Sequence, residues 1–251
     1  MKILVPFKRV PDPDTKIRLR PDGSGIETDG VKFSVNPFDA IALEEALRLE
    51  ARLGEIDIAV VAIGGEECIE QLRVGLAMGA DRAILIRTGE ALDSLAVAKL
   101  LAGLHRKEQP NLVLMGKQAI DDDANQAGQM LAGLLGLPQA TFVSKLELAP
   151  DQKQARCNRE TDAGIETIAI PLPAVITTDL RLNEPRYVAL PGIMKAKKKP
   201  IEELTAAALG VEVVSRTKTL KLSLPPRRKA GVRVKTVDEL IQKLRDEAKV
   251  I

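Results

Sequence analysis

A chain of 251 residues, 45% hydrophobic and 29% charged, with a mean hydropathy near zero, has the composition of a globular protein, and no apolar run approaches the ~20 residues that a bilayer span needs. Two cysteines and one histidine exclude a disulfide framework and a multi-thiolate or histidine-rich metal site, and five aromatic residues leave little for a base-stacking surface. The net charge of +2 hides an asymmetry: residues 178–251 carry 17 basic and nine acidic side chains on an acidic body, which points to an acidic partner or to intramolecular docking.

In chain order, KILVPF (2–7) reads as a buried strand, and its position at the start argues against a cleavable secretion signal. Turns dominate 17–35, with Pro21-Asp22-Gly23 and Asp29-Gly30 between short extended pieces. A helix is predicted from Pro37, capped by Asn36, with Ile41, Ala42, Ala46, Leu47 and Leu49 on its apolar face and Gly54 as its stop. Strand 57–63 leads through Gly64-Gly65 into a helix ending near Met78. Strand 83–86 precedes a helix over 91–106, and strand 111–115 leads through Gly116 into a helix over 122–135. Wholly apolar strands alternating with amphipathic helices predict an α/β fold, a mostly parallel sheet with helices on both faces.

Beyond Pro138 the rhythm becomes that of an antiparallel meander over 141–148, 153–159 and 165–170, followed by a last buried strand, Ala174 to Thr178. Pro185, Pro191 and Pro200 oppose a continuous helix, so 179–235 reads as an extended arm. A final amphipathic helix is predicted over 237–248, capped by Thr236, with Leu240, Ile241 and Leu244 on one face. This gives an α/β domain with meander over 1–177, a loop over 178–200 and a C-terminal arm and helix over 201–251.

Ligands of open parallel sheets sit at the carboxyl ends of the strands, where strand order reverses. That rule nominates Pro6 to Arg9, Ile63 to Glu66 and, richest in polar groups, Gly116 to Gln129. The last is a strand–turn–helix whose helix N-terminus favours a phosphate, with Gly128 allowing close approach and Asn125, Gln126 and Gln129 as neutral partners. Asp121 to Asp123 equally read as simple helix-capping residues. Neither a P-loop nor a Gly-x-Gly-x-x-Gly fingerprint is present. In 178–200, Leu190, Ile193 and Met194 stand among Lys195, Lys197, Lys198 and Lys199, an apolar anchor with a charged rim suited to protein docking. Nucleic-acid binding through these lysines is a rival that lacks aromatic interleaving. Arg159, Glu160, Asp162 and Glu166 read as a surface ion-pair cluster or a subunit contact, ahead of paired carboxylates for acid–base chemistry. His105 reads as a charge at a solvated helix end, Cys68 as a helix-start thiol whose pKa is open to lowering, and Cys157 as a packing group.

The strings DGVK (29–32) with NPF (36–38), AMGADR (77–82), GKQAIDDD (116–123) with Asn125-Gln126, and above all LRLNEPRY (180–187) with IMKAKKK (193–199) resemble the β subunit of electron transfer flavoprotein over essentially the whole chain. The resemblance implies an adenine-nucleotide-binding, Rossmann-like domain in an αβ heterodimer with one FAD, shared with the α subunit, and one AMP. It implies an electron carrier without turnover of its own, taking electrons from acyl-CoA dehydrogenases and passing them to a membrane quinone oxidoreductase. By motif position, AMP is expected against Pro6, Asn36, Pro37, Phe38, Asp39, Ile63, Gly116, Lys117, Gln118, Ala119, Ile120, Asp121, Asp122, Asp123, Ala124, Asn125, Gln126 and Ala127. Phe38 and Pro13 are expected near FAD, and Glu160 against an arginine of the α subunit. Leu190, Ile193, Met194, Lys195, Lys197, Lys198 and Lys199 are expected in partner recognition, with the C-terminal arm docking on the α subunit.

Three positions depart from the family pattern: Pro13 replaces a tyrosine, Ala127 a threonine and Ala124 a cysteine. The resemblance further implies a cytoplasmic, bacterial-type chain that binds no nucleic acid and inserts in no membrane. The alternative is an electron-bifurcating relative with a second FAD in the β-subunit site. A third reading is a nucleotide-binding regulatory module whose basic tail touches RNA.

Overall fold

The apolar runs become the central strands of one nine-stranded sheet in the computed structural model, which describes every residue except Glu90, Ala91, Arg227 and Lys229. In chain order the elements are β1 (Lys2–Phe7), β2 (Arg9–Pro11), β3 (Phe33–Val35), α1 (Pro37–Leu53), β4 (Asp57–Gly64), α2 (Ile69–Met78), β5 (Arg82–Arg87), α3 (Ser94–Glu108), β6 (Leu112–Gly116) and α4 (Ala127–Leu135). There follow β7 (Gln139–Leu148), β8 (Gln154–Thr161), β9 (Gly164–Pro171), β10 (Ala174–Thr178), α5 (Leu190–Lys198), β11 (Glu202–Thr205) and α6 (Val237–Asp246). The sheet runs β11-β5-β4-β1-β6-β10-β7-β8-β9, and β2 and β3 pair separately as an antiparallel ribbon.

From β11 to β7 the pairing is parallel; β7, β8 and β9 form the expected antiparallel meander as a continuation of the same sheet. Strand order reverses at β1, which lies between β4 and β6. Alternation along β1 sends Ile3, Val5 and Phe7 into one apolar layer, with Leu43 of α1 and Leu72 of α2. It sends Leu4 into the other, with Leu100 of α3 and Leu131 of α4. A strand covered on both faces has no polar side, which is why these strands read as unbroken apolar runs.

The chain divides into two compact units, Met1–Ile17 with Thr28–Lys218, and Arg18–Glu27 with Thr219–Ile251. The first contains the sheet. In the second, a turn closed by the Leu19–Ile26 bridge accepts a 2.8 Å hydrogen bond at the Gly23 carbonyl from Leu222 N–H, and α6 begins at Thr236, whose Oγ1 accepts from Glu239 N–H. Val237, Leu240 and Ile241 of α6 remain exposed.

Several expectations are corrected. The fourth helix begins at Ala127, not Asp122, because 117–126 is a loop in which Asp123 and Asn125 take left-handed backbone angles. The third helix begins at Ser94 with Asp93 Oδ1 accepting from Ala96 N–H at 2.8 Å; Ala91, its expected start, lies outside the described residues. The stretch read as extended contains α5, because Pro191 falls in the first turn, where a missing N–H costs nothing. It also contains β11, a parallel edge strand on β5; Arg227 and Lys229 of that stretch lie outside the described residues. His105 is buried, and burial followed by the nearby Arg106 lowers its pKa, so it does not serve as a charged helix end. Cys68 is buried too, and burial raises its thiol pKa. Asn36 starts α1 without a side-chain cap.

Candidate functional site

A cleft of about 250 Å³ opens at the carboxyl ends of β1, β4 and β6, at the strand-order reversal. Its walls come from four loop–helix junctions, and buried polar contacts hold them together. Asp39, in the first turn of α1, is buried and accepts N–H bonds from Lys8 at 2.8 Å and Gly116 at 3.0 Å, joining the ends of β1 and β6. Burial pushes its carboxyl up to about 7, against these two donors. Gly116 is required where it stands: a Cβ there would lie 2.4 Å from Asp39 Oδ1 and 2.6 Å from Phe38 Cβ.

Asn36 ties the loop over 117–126 to α1. Its Nδ2 donates to the Gln118 carbonyl at 2.9 Å, and its Oδ1 accepts from Ile120 N–H at 3.3 Å. The carboxylates of this loop are turned to internal use. Lys8 Nζ donates to Asp121 and Asp122, at 2.8 Å each. Burial opposes the charge on Lys8, but the two carboxylates more than offset it, and its pKa is raised. Asp123 accepts from Gln118 Nε2. Gln126 begins α4 without a side-chain cap, and α4 has no acid in its first turn. Its orphan first-turn N–H groups therefore stand at the cleft lining formed by Gln126, Ala127 and Gly128. A Cβ on Gly128 would meet Thr177 Cγ2 at 2.6 Å, so this glycine serves the packing of α4 on β10.

Of the expected nucleotide contacts, Pro6, Asn36, Asp39, Ile63, Gly116, Lys117, Gln118, Ala119, Asp122, Ala124, Asn125, Gln126 and Ala127 line the cleft, whereas Pro37, Phe38, Ile120, Asp121 and Asp123 do not. Phe7 and Lys8, within the nominated turn from Pro6 to Arg9, also line it, whereas sequence reasoning missed Val61, Met115, Thr88, Leu92, Ser94, Val97 and Leu101. The last five lie between the end of β5 and the body of α3; applying the strand-end rule to β5 would have found that junction.

Lys117 lines the cleft, but its ammonium faces Asp179 at 2.8 Å and lies 5.5 Å from the Phe38 ring centre and 4.8 Å from that of Phe142. Burial raises the Asp179 pKa, and the Lys117 bond then brings it below its usual value. Phe142 has φ near 58°, rare for a bulky side chain, at the irregularity where β7 pairs with β10. Phe38 is buried and Pro13 is exposed in a turn. Glu160 faces Arg181 at 2.5 Å, and Arg159 faces Glu166 at 3.0 Å, as a surface ion-pair cluster would.

The second expected site lies on α5. Leu190 is 70% exposed and Met194 61%, and at helical spacing they share one face of α5 with Ile193; Tyr187, ahead of the helix, is 98% exposed. Lys195, Lys197 and Lys198 are exposed around it, whereas Lys199 turns back to the carbonyls of Ala80 and Asp81. Among the described residues, no group of three or more His, Cys, Asp or Glu could hold a metal ion, and no helix is long and apolar enough to cross a membrane.

The family model described as "Electron transfer flavoprotein domain" matches residues 24–209. Over 251 residues, and over the whole of both chains, the sequence is 55% identical to "Electron transfer flavoprotein subunit beta" of Bradyrhizobium diazoefficiens. It is 54% identical over the same span to the mitochondrial β subunit of Arabidopsis thaliana. The human β subunit is 48% identical over 254 residues, with all of this chain and 99% of the relative covered.

Proposed function

The chain belongs to the electron transfer flavoprotein family as a β subunit, a component of an electron-transfer flavoprotein, and from that premise we propose that it is a carrier without turnover of its own. It pairs with an α subunit, holds AMP in the cleft and helps enclose one FAD. It receives electrons from acyl-CoA dehydrogenases docked on α5, for onward transfer to a membrane quinone oxidoreductase. The part of the chain beyond Lys218, with its basic arm and the exposed apolar side chains of α6, docks on the α subunit.

The observation that carries the reading is the pairing of uncapped α4 amides with loop carboxylates held by the chain's own side chains. Three aspartates beside a helix N-terminus would repel a phosphate. With Asp121 and Asp122 bound to Lys8 and Asp123 to Gln118, the loop carboxylates are engaged within the chain and Lys8 compensates part of their charge, and none of them caps the α4 N-terminus, whose partial positive charge favours a phosphate. The apolar floor of Val61, Ile63, Val97 and Leu101 suits a purine face. A cleft of about 250 Å³ lies near the lower bound of ~300 Å³ for small-molecule sites. That size favours a mononucleotide over the larger FAD of the bifurcating alternative.

FAD, when bound, supplies the one-electron chemistry. Lys117 brings a positive charge to one wall, with the buried Phe38 ring behind it, Asp179 fixes that charge, and Glu160 and Arg181 offer a paired carboxylate and guanidinium to the α subunit. Leu190 and its neighbours provide the apolar anchor for a dehydrogenase, and the exposed lysines steer an acidic rim. Denaturing the purified αβ complex and quantifying its released nucleotides tests the reading: one AMP and one FAD per heterodimer are expected. Two FAD without AMP would establish the bifurcating alternative.

A further inference from the structure

Nine residues make too short a helix to persist alone in water, and α5 has little of the usual apolar support. Among its described residues Ala196 alone is buried. Its mount is polar instead. The half-buried Arg73 on α2 donates through Nη1 to the carbonyls of Ala196, which also accepts the Lys199 N–H, and of Lys199, at the carboxyl end of α5 where helix carbonyls run out of i+4 donors. Lys199 Nζ reciprocates, donating to the carbonyls of Ala80 at 2.8 Å and Asp81 at 3.2 Å. The two helices approach so closely that a Cβ on Gly192 would lie 2.6 Å from the Ala77 carbonyl oxygen. Upstream, Arg186 Nε reaches Glu44 Oε2 at 2.7 Å, and Arg48 donates to the Glu184 carbonyl at 3.1 Å.

We propose that α5 is a pre-ordered docking element and that Arg73 is the residue that positions it. The inference rests on the reading of α5 as the surface for a dehydrogenase with an apolar pocket and an acidic rim. Arg73 acts through the α5 carbonyls and touches no partner. By fixing the carboxyl end of the helix it removes the cost of ordering Leu190 and Met194 during encounter, which is how preorganisation raises affinity. Lys199 belongs to this mount and not to the charged rim. If loss of Arg73 leaves α5 ordered in about a tenth of the molecules, the apparent Kd for the partner rises about tenfold with every partner contact unchanged.

The experiment uses the αβ complex with an acyl-CoA dehydrogenase as the varied partner, and compares Arg73→Ala, Arg73→Lys and Leu190→Ala. Arg73→Ala is expected to raise the KM for the dehydrogenase about tenfold with kcat, flavin and nucleotide content unchanged, and to speed amide hydrogen exchange within 190–199 alone. Arg73→Lys recovers part of both effects, because an ammonium still reaches one carbonyl. Leu190→Ala raises KM without faster exchange. A normal KM in Arg73→Ala beside a raised KM in Leu190→Ala overturns the positioning role, as does a raised KM with unchanged exchange. A normal KM in Leu190→Ala overturns the docking reading on which it rests. Should Arg73→Ala not assemble, Gly192→Ala wedges the same pair of helices apart and is held to the same two readouts.

Discussion

The cleft loop over 117–126 and the segment over 183–199, proposed above for docking, are both irregular chain running into a nine-residue helix, yet they are held by opposite means. The first rests on the buried ends of β1 and β6, and its polar bonds close over an apolar floor. The second reaches the core only through Ala196 and Val188 and is otherwise fixed by side chains from α1 and α2 that bond its backbone. A site that must retain a small ligand gains from walls that cannot move without opening the core. A surface that must meet a protein gains from exposed apolar residues, which leaves polar contacts to keep it in shape.

Substitutions on the two sides should therefore part company. Gly116→Val drives a branched side chain into Asp39 and Phe38, and should cost about 3 kcal/mol of stability together with retained nucleotide. Urea unfolding and nucleotide extraction measure both, and wild-type values for either would show that the walls can yield. Leu190→Ala should leave the unfolding midpoint alone while lowering partner affinity by about 2 kcal/mol, roughly 30-fold, as read by titration with a dehydrogenase. An equal loss of thermal stability would place that residue in the core.

Asp39 sharpens the contrast through pH. Its folded pKa of about 7 exceeds the ordinary value of 3.8, so between these values the folded state holds a proton that the unfolded chain has lost. Its contribution to stability is full below the ordinary value, falls as pH rises through the window and is lost above the folded pKa. Between pH 6 and pH 8 it should remove about 1.4 kcal/mol, and Asp39→Asn should flatten that slope in unfolding curves; an unchanged slope would assign it to other groups. The smallest effect separates neighbouring lysines. Lys198→Ala should slow association by about two- to threefold at low salt, with the difference vanishing at high salt. Lys199→Ala should weaken docking at all salt concentrations, because its ammonium holds carbonyls of the body. Stopped-flow association across ionic strength distinguishes them, and identical salt profiles would return Lys199 to the rim.

Strand–turn–helix alternation was legible because a strand buried on both faces must be apolar throughout, and the strand-end rule then located the cleft without any motif. Asn36 shows where that legibility stopped. A residue suited to capping was assigned to its own helix, but it bonds Gln118 and Ile120 instead, since a loop 82 residues away in sequence arrives beside it only when β1 and β6 pair. His105 and Cys68 were misjudged for the same kind of reason: local sequence gives the helix end but not the layer that covers it. Around α5, Pro185, Pro191 and Pro200 outweigh the local helical signal, although Pro191, the one inside the helix, occupies a position where proline is harmless.

The sequence by itself determined the alternation of elements, the parallel sheet with its meander, the strand-end location of the cleft and the family to which the chain belongs, because these follow from periodicity and from strings of residues read in order. Only the tertiary structure decided which partners the charged side chains take: Lys8 on Asp121 and Asp122, Lys117 on Asp179, Arg73 and Lys199 on backbone carbonyls. The physical reason is that a hydrogen bond is short-ranged and directional, so its partner is fixed by which chain segments meet, and that is settled when the strands pair and the helices pack.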